Sequence, residues 1–375
     1  MGQGIVAPQL PELLHGSETL AMDSGLSAVV LYLGIFLASF PFGKASDRGR
    51  VHWLLTGGLL AYACTLLAFT LQPDRTALFL IRFFEGVSIS AVFVAADYLL
   101  GKLSPPDQRG KWLSFYGVAL SIGLLLGPLL SLGWHQWISA SFAGPLIIVA
   151  GLAALSAILS GVSVRVPAAI FGELTQAGRK ISLRGNFGPL SAGISYGAME
   201  ASLVAVLPVI ALQTFHVKPE LCLIFVILSA AISSLPWGIS SDRFGPEKVV
   251  KVLLGVLAIA PLALFVFSRG TGTSTGLQGM PLALLSSLVF GLIAGGLYPV
   301  GFSWLLAQVD DSRYGEASGA FTRYYGLGSI IGPGAAGWLT QTQGYSGLLL
   351  FLSVLGFFTW GGLQLPGLLL RRRRH

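Results

Sequence analysis

Charge is scarce in this 375-residue chain. Asp, Glu, Lys and Arg make up 10% of it, against 54% hydrophobic residues. Soluble proteins carry about 25% charged residues. A water-facing surface cannot be built from this sequence, so an ordinary soluble enzyme is excluded. Disorder is excluded by the same shortage, because it needs high charge and low hydrophobicity. Cysteine is nearly absent. Cys64 and Cys222 stand alone in apolar stretches with no CxxC spacing, which reads as small membrane-buried side chains and not as a disulfide or metal site. The five histidines are scattered, without zinc-type spacing. There is no GxxxxGK[ST], no HExxH and no GxSxG in a nucleophile setting. No catalytic residue, metal or cofactor is expected, and ATP is not the expected energy source.

Long apolar runs stand in place of charge. Eleven reach the roughly 20 residues that cross a bilayer as a helix. They lie at 24–42, 53–71, 77–100, 113–133, 143–164, 187–212, 219–240, 249–268, 280–306, 316–340 and 346–370. The first fourteen residues read as the tail of one more span, with no basic segment ahead of them to suggest a signal peptide. The runs are continuous, unlike the short alternating strands of a barrel. An all-α integral membrane protein is predicted, with eleven complete transmembrane helices and a stub of another.

The basic residues are distributed unevenly. Of 23 Lys and Arg, 18 fall in alternate loops and the tail: Lys44, Arg48 and Arg50; Lys102, Arg109 and Lys111; Arg165, Arg179, Lys180 and Arg184; Arg243, Lys248 and Lys251; Arg313; and Arg371 to Arg374. The opposite loops hold only Arg75, Lys218 and Arg269. Basic loops stay inside. These loops and the C-terminus are therefore assigned to the cytoplasm, His135 to the outside, and the chain to the cytoplasmic membrane. The net charge of +7 then reports topology, and no nucleic acid is expected.

The chain also repeats itself. GKASDRGR at Gly43 returns as GISSDRFG at Gly238, 195 positions later. GLLLGP at Gly123 returns as GSIIGP at Gly328, 205 positions later. Two equal halves in the same order are the organisation of a transporter built from parallel repeats.

These motifs resemble the major facilitator superfamily. The residues that carry the likeness are Gly43, Asp47, Arg48 and Arg50; Arg82 and Gly86 as RxxxG; Gly123, Gly127 and Pro128; and Gly238, Asp242, Arg243 and Gly245. GGLYPVGFSWLLAQV from Gly295 also resembles the YcaD-like branch. The resemblance implies two six-helix bundles related by a pseudo-twofold axis. The halves are expected at 1–165 and 187–375, with a cytoplasmic linker at 166–186. It also implies alternating access, with the Asp-Arg turns acting as cytoplasmic latches. Two departures stand out: DRGR is one residue shorter than the family's turn, and the stub lacks about twenty residues of the family's first span. The expectation is that the gene product begins upstream and that restoring an apolar stretch there raises stability and gives transport.

The latch has a physical basis. Small residues at Gly43 and Gly238 let helices approach closely. A carboxylate at a helix end, as at Asp47 or Asp242, can accept hydrogen bonds from exposed amides of a neighbouring helix. The alternative is a pair of charges flanking a short hairpin. GLLLGP and GSIIGP place helix bends at Gly123, Gly127, Pro128, Gly328, Gly332 and Pro333. The first resembles the family's antiporter signature, though its LLSLG tail lacks two glycines.

Charges inside spans are costly and mark function. Arg82 either snorkels outward or pairs with Glu85 three residues on, which suits an anionic substrate group or a proton. Glu200 lies about 20 Å into its helix, near the bilayer centre. It is either a proton carrier or a protonated structural group bonded to Tyr196. Arg323 is either paired near the cytoplasmic end, with Glu316 two turns before it, or clamps substrate. Asp97 reads as structural or part of a gate. Pro299 removes a backbone bond within its span, and Tyr298 and Trp304 either line a cavity or pack against neighbours.

Together these residues predict a secondary active transporter of a small organic solute, proton-coupled through Glu200 and Glu85. Arg82, Tyr298 and Arg323 are expected at the substrate. Efflux is favoured over uptake. Protons, a small-molecule substrate and membrane lipid are the expected partners of a monomer. The competing expectation is a non-transporting sensor or assembly protein on the same scaffold.

Overall fold

The computed structural model describes residues 2, 4–6, 20–71, 73–138, 143–163, 181, 186–217, 219–270 and 279–372. Among these, every regular element is helical. The long helices are α1 (Leu20–Ala45), α2 (Val51–Phe69), α3 (Arg75–Leu103), α4 (Arg109–Trp137), α5 (Ala143–Ser163), α6 (Phe187–Ile210), α7 (Pro219–Phe244), α8 (Pro246–Gly270), α9 (Gly279–Leu306), α10 (Tyr314–Gln343) and α11 (Tyr345–Arg372). Among the described residues nine stretches are long and apolar enough to cross a membrane, one being the joined run Leu26–Phe69. Most of the predicted linker and of the stub lies outside the described residues, as do Arg179 and the end of the tail.

Local chemistry sets the helix ends. Asp74 caps α3, its carboxylate accepting from the Ala77 amide at 2.8 Å, which satisfies a donor that the first turn leaves free. Arg48 and Gly49 break the run between α1 and α2, and Gly49 takes φ of 78°. Gly245 takes φ of 91° between α7 and α8, and Pro246 follows it at the first helical position, where its missing N–H costs nothing.

The chain forms two compact units. The first comprises Met1–Ser104, Ile122–Ile181 and Gln308–Leu327; the second comprises Pro105–Ser121, Ser182–Ala307 and Gly328–His375. In the first, α1 packs on α3 through facing glycines. A Cβ on Gly86 would strike the Leu31 carbonyl, and one on Gly34 the Phe83 carbonyl. Around α2, Ala63, Leu66 and Phe69 pack with Leu78, Leu146 and Val149. In the second unit α9 is buried along most of its length. Gly291 and Gly295 press it onto the Val226 and Ala230 carbonyls of α7. Such approach without Cβ atoms is how helices associate where no hydrophobic drive exists between them.

Many large apolar side chains are exposed, among them Leu60, Leu71, Ile158, Ile232, Ile259 and Phe358. In water so much exposed apolar surface would be a liability; against lipid tails it is the expected outer face. Cys64 is exposed on α2 while Cys222 is buried on α7, so only the second is an interior side chain.

Candidate functional site

The two Asp-Arg turns each hold the start of another helix. In the first unit, Asp47 accepts from the Gly315 amide at 2.6 Å and the Glu316 amide at 2.7 Å. In the second, Asp242 accepts from the Gly110 amide at 2.7 Å and the Lys111 amide at 2.8 Å. These amides are orphan donors at the beginnings of α10 and α4, where the helix dipole also favours an anion. The glycines make the reach possible. A Cβ on Gly43 would run into the Gly315 carbonyl, and one on Gly238 into Ser114 and the Gly110 carbonyl. Ser234 Oγ donates to the Ser114 carbonyl at 3.1 Å, and Ser318 Oγ to the Val94 carbonyl at 3.1 Å.

The carboxylates on the first side form a small network. Glu316 receives Arg313 at 2.8 Å and the Ile181 amide at 3.4 Å. Burial pushes the Asp47 carboxyl up to about 6, with the neighbouring Glu316 adding to the rise and the two amides opposing it. Glu316 was the sequence-level candidate to pair with Arg323; it pairs with Arg313 instead, because a three-residue spacing lets the Arg313 fork turn directly onto it.

Of the charges at membrane depth, Arg82 and Glu85 meet directly. Their atoms lie 2.9 Å apart with side chains 4% and 0% exposed. The guanidinium also stands over the Phe69 ring at 5.4 Å. Arg82 Nε and Glu85 Oε1 are buried without a protein partner. Gly86, the other end of the RxxxG motif, is the glycine that seats α3 on α1. Glu200 is half-buried on α6 and is engaged with a neighbour. Tyr298 is buried on α9 and meets Tyr196 edge-on at 5.4 Å. Trp304 is buried, 8% exposed, against Gly188. Pro299 sits within α9 and Asp97 is fully buried on α3. Arg323 stands over Phe36 and Phe40, at 4.6 and 5.9 Å.

The bend motifs lie within α4 and α10. Gly328 and Gly332 press α10 against the Ile194 and Ala198 carbonyls. Arg48, Arg50 and Arg243 flank the two turns. The string Gly193-Ile194-Ser195-Tyr196-Gly197 reads GxSxG but lies inside α6, with Ser195 buried; a nucleophile elbow needs a sharp strand-to-helix turn.

The family model described as Major Facilitator Superfamily matches residues 1–217 and 189–375. The chain belongs to the major facilitator superfamily. It is 25% identical to an uncharacterized MFS-type transporter, YfkF of Bacillus subtilis, over 97% of this chain and 91% of that one. It is also 25% identical to the MFS-type transporter YcaD of Salmonella dublin, over 73% of this chain and 67% of that one. Its fold is similar to that of the human organic anion transporter MFSD10, with a TM-score of 0.75, 17% identity and 96% and 94% of the two chains covered. A bacterial homologue of the iron transporter ferroportin, in an outward-facing state, gives a TM-score of 0.66 at 17% identity, with the same coverage. The protein is therefore a multi-pass membrane transporter of this superfamily.

The partners of the two aspartates were foreseeable in kind but not by number. Gly315 and Gly110 stand 205 positions apart, the same offset as the two Gly-Pro elements. That offset was the available signal for which helix starts are gripped.

Proposed function

We propose that this protein is a secondary active transporter of a small organic solute, working by alternating access and driven by protons. The two gripped helix ends carry the proposal. Each is held by a single carboxylate through two hydrogen bonds, strong enough to bias a state and few enough to release. Asp47, Arg48, Arg50, Asp242 and Arg243 serve as the latches. Gly43, Gly238 and Gly245 give them room, and Gly123, Gly127, Pro128, Gly328, Gly332 and Pro333 let α4 and α10 flex. Glu200 carries the proton, assisted by Glu85. Arg82, Tyr298 and Arg323 face the substrate. The protein acts as a lipid-embedded monomer of two helical halves, 1–165 and 187–375, joined by a linker at 166–186. It lies in the bacterial cytoplasmic membrane with its C-terminus inside, and its direction is export.

The test is a substrate screen in proteoliposomes with an imposed pH gradient. The wild type should move its substrate against a concentration gradient when protons drive it. Glu200→Gln should lose that drive while keeping substrate exchange, since glutamine preserves size but carries no proton. A mutant that still answers fully to the pH gradient removes Glu200 from the mechanism. For orientation, cysteine placed at position 135 should label in intact cells and cysteine at 179 should not.

A further inference from the structure

Among the described residues, the guanidinium of Arg323 meets aromatic rings and no carboxylate. It lies nine residues after Tyr314 on α10, about 14 Å along the helix, and is partly buried. Phe36 and Phe40, the two rings beneath it, are one turn apart on α1. One turn further, Lys44 Nζ stands 4.4 Å over the same Phe40 ring. Among the described residues, neither cation has a carboxylate or a hydrogen-bond acceptor as partner. Arg82, in the same unit, differs in having a carboxylate partner, Glu85, at 2.9 Å.

Magnitudes decide what the rings can do. A cation over a ring gains about 0.5–2 kcal/mol. A charged side chain at membrane depth costs about 2.5–3.5 kcal/mol or more. Phe36 and Phe40 therefore orient the guanidinium without neutralising it, and its five N–H donors stay available.

This strip is also foreign to the repeat. The offset of 195 carries Asp47 onto Asp242, and the offset of 205 carries Gly110 onto Gly315. The same offsets set Phe36 against Ala231, Phe40 against Leu235, Lys44 against Ile239 and Arg323 against Val118. The scaffold needs its latch twice and builds one half without any part of the strip, so packing does not explain it.

The geometry points to Arg323 as the docking group for an organic anion: a carboxylate, sulfonate or phosphate monoester on an apolar body. The anionic oxygens take the open guanidinium donors in bidentate fashion. The apolar body lies against Tyr32 and Tyr325, which meet edge-on at 6.0 Å beside the strip. Exposed Lys44 draws the anion toward the helix end. This names the substrate class of the transporter proposed above and rests on that proposal.

The test is equilibrium binding to the purified full chain in detergent, with no gradient and no transport. Thermal unfolding is followed with 1-naphthoate, 1-naphthalenesulfonate and 1-naphthyl phosphate, and with neutral 1-naphthylmethanol as the matched control. At least one anion should raise the melting temperature saturably, and the alcohol should not. Arg323→Gln should weaken that anion's apparent affinity about ten-fold or more, the scale of one charged hydrogen bond, while Arg323→Lys keeps part of it. The inference is overturned if no anion shifts the wild type, if the alcohol matches the anions, or if the Gln variant responds like the wild type. Should the Gln variant fail to fold, the wild-type contrast of anion against alcohol and the Lys variant still decide. A failed Glu200→Gln transport test leaves this binding result untouched; a failed binding test with intact proton-driven transport removes only the substrate class.

Discussion

Asp47 and Asp242 stand 195 positions apart and hold their helix ends by the same two-amide grip, yet in different surroundings. Asp47 is partly buried and its second amide belongs to an acidic residue, Glu316. Asp242 is exposed and its second amide belongs to a basic one, Lys111. Burial raises the carboxyl of the first to about 6. The backbone geometry is thus duplicated while the electrostatics are not. What the repeat preserves is hydrogen-bond placement; what it leaves free to diverge is the cost of charge in each latch.

The largest expected effects come from the glycines that let the turns approach. Gly43→Ala and Gly238→Ala should each destabilise by about 1–3 kcal/mol through overpacking, read as a fall in melting temperature in detergent. The comparison sharpens here. A Cβ at Gly43 meets backbone, while a Cβ at Gly238 first meets the Ser114 hydroxyl. Trimming Ser114 to Ala should therefore rescue Gly238→Ala in part. A full loss in the double variant, equal to that of Gly238→Ala alone, would show that backbone crowding sets both sites.

Next come the carboxylates. Asp47→Ala strands two part-buried amides, at about 1–3 kcal/mol. Asp242→Ala strands the part-buried Gly110 amide but leaves the Lys111 amide open to water, and about 0.5–2 kcal/mol is expected, the range for a lost cap. Equal losses by chemical unfolding would break the contrast between the two turns.

Much of this was legible in the sequence. The apolar runs at 143–164 and 280–306 fall where α5 and α9 do, because a bilayer leaves the backbone no choice but helix. The aspartates were legible because the DR string repeats. The ring contacts of Arg323 were not. They depend on the rotation of α1 against α10, and a span that is apolar all round gives no periodicity from which to read that rotation. For the same reason Gly34 and Gly86 announce close packing without naming the Phe83 and Leu31 carbonyls they meet. Repeat arithmetic adds one further point. RxxxG does not recur: 205 positions after Arg82 and Glu85 stand Ser287 and Phe290. Gly86 does recur, as Gly291, and does the same packing. The glycine belongs to the scaffold and the ion pair to one half.

A smaller effect separates the turns by pH. The Asp47 carboxyl is raised from 3.8 to about 6, so the folded state binds its proton more tightly than the unfolded chain does. Its contribution to stability is complete below the unfolded value and is lost as pH rises through the folded one. The wild-type melting temperature should fall between about pH 4 and about pH 6 from this source. Asp47→Asn should flatten that part of the curve. A slope that survives Asp47→Asn unchanged assigns it to another group.

The smallest effects concern the neighbours. Glu316 places a second carboxylate beside Asp47 and raises it. Glu316→Gln removes that like charge, so the Asp47 midpoint should move down toward its ordinary value and the pH-dependent fall should shift with it. The same change loosens Arg313, which sits 2.8 Å from Glu316 with the two side chains 19% and 15% exposed, and the pair contributes about 1 kcal/mol. Lys111 offers Asp242 its backbone amide, which no side-chain change removes. Lys111→Gln should therefore stay within about 0.5 kcal/mol of the wild type and leave the pH curve alone. If Lys111→Gln moves that curve as far as Glu316→Gln does, the side chain and not the amide is what Asp242 reads, and the two latches are electrostatically alike after all.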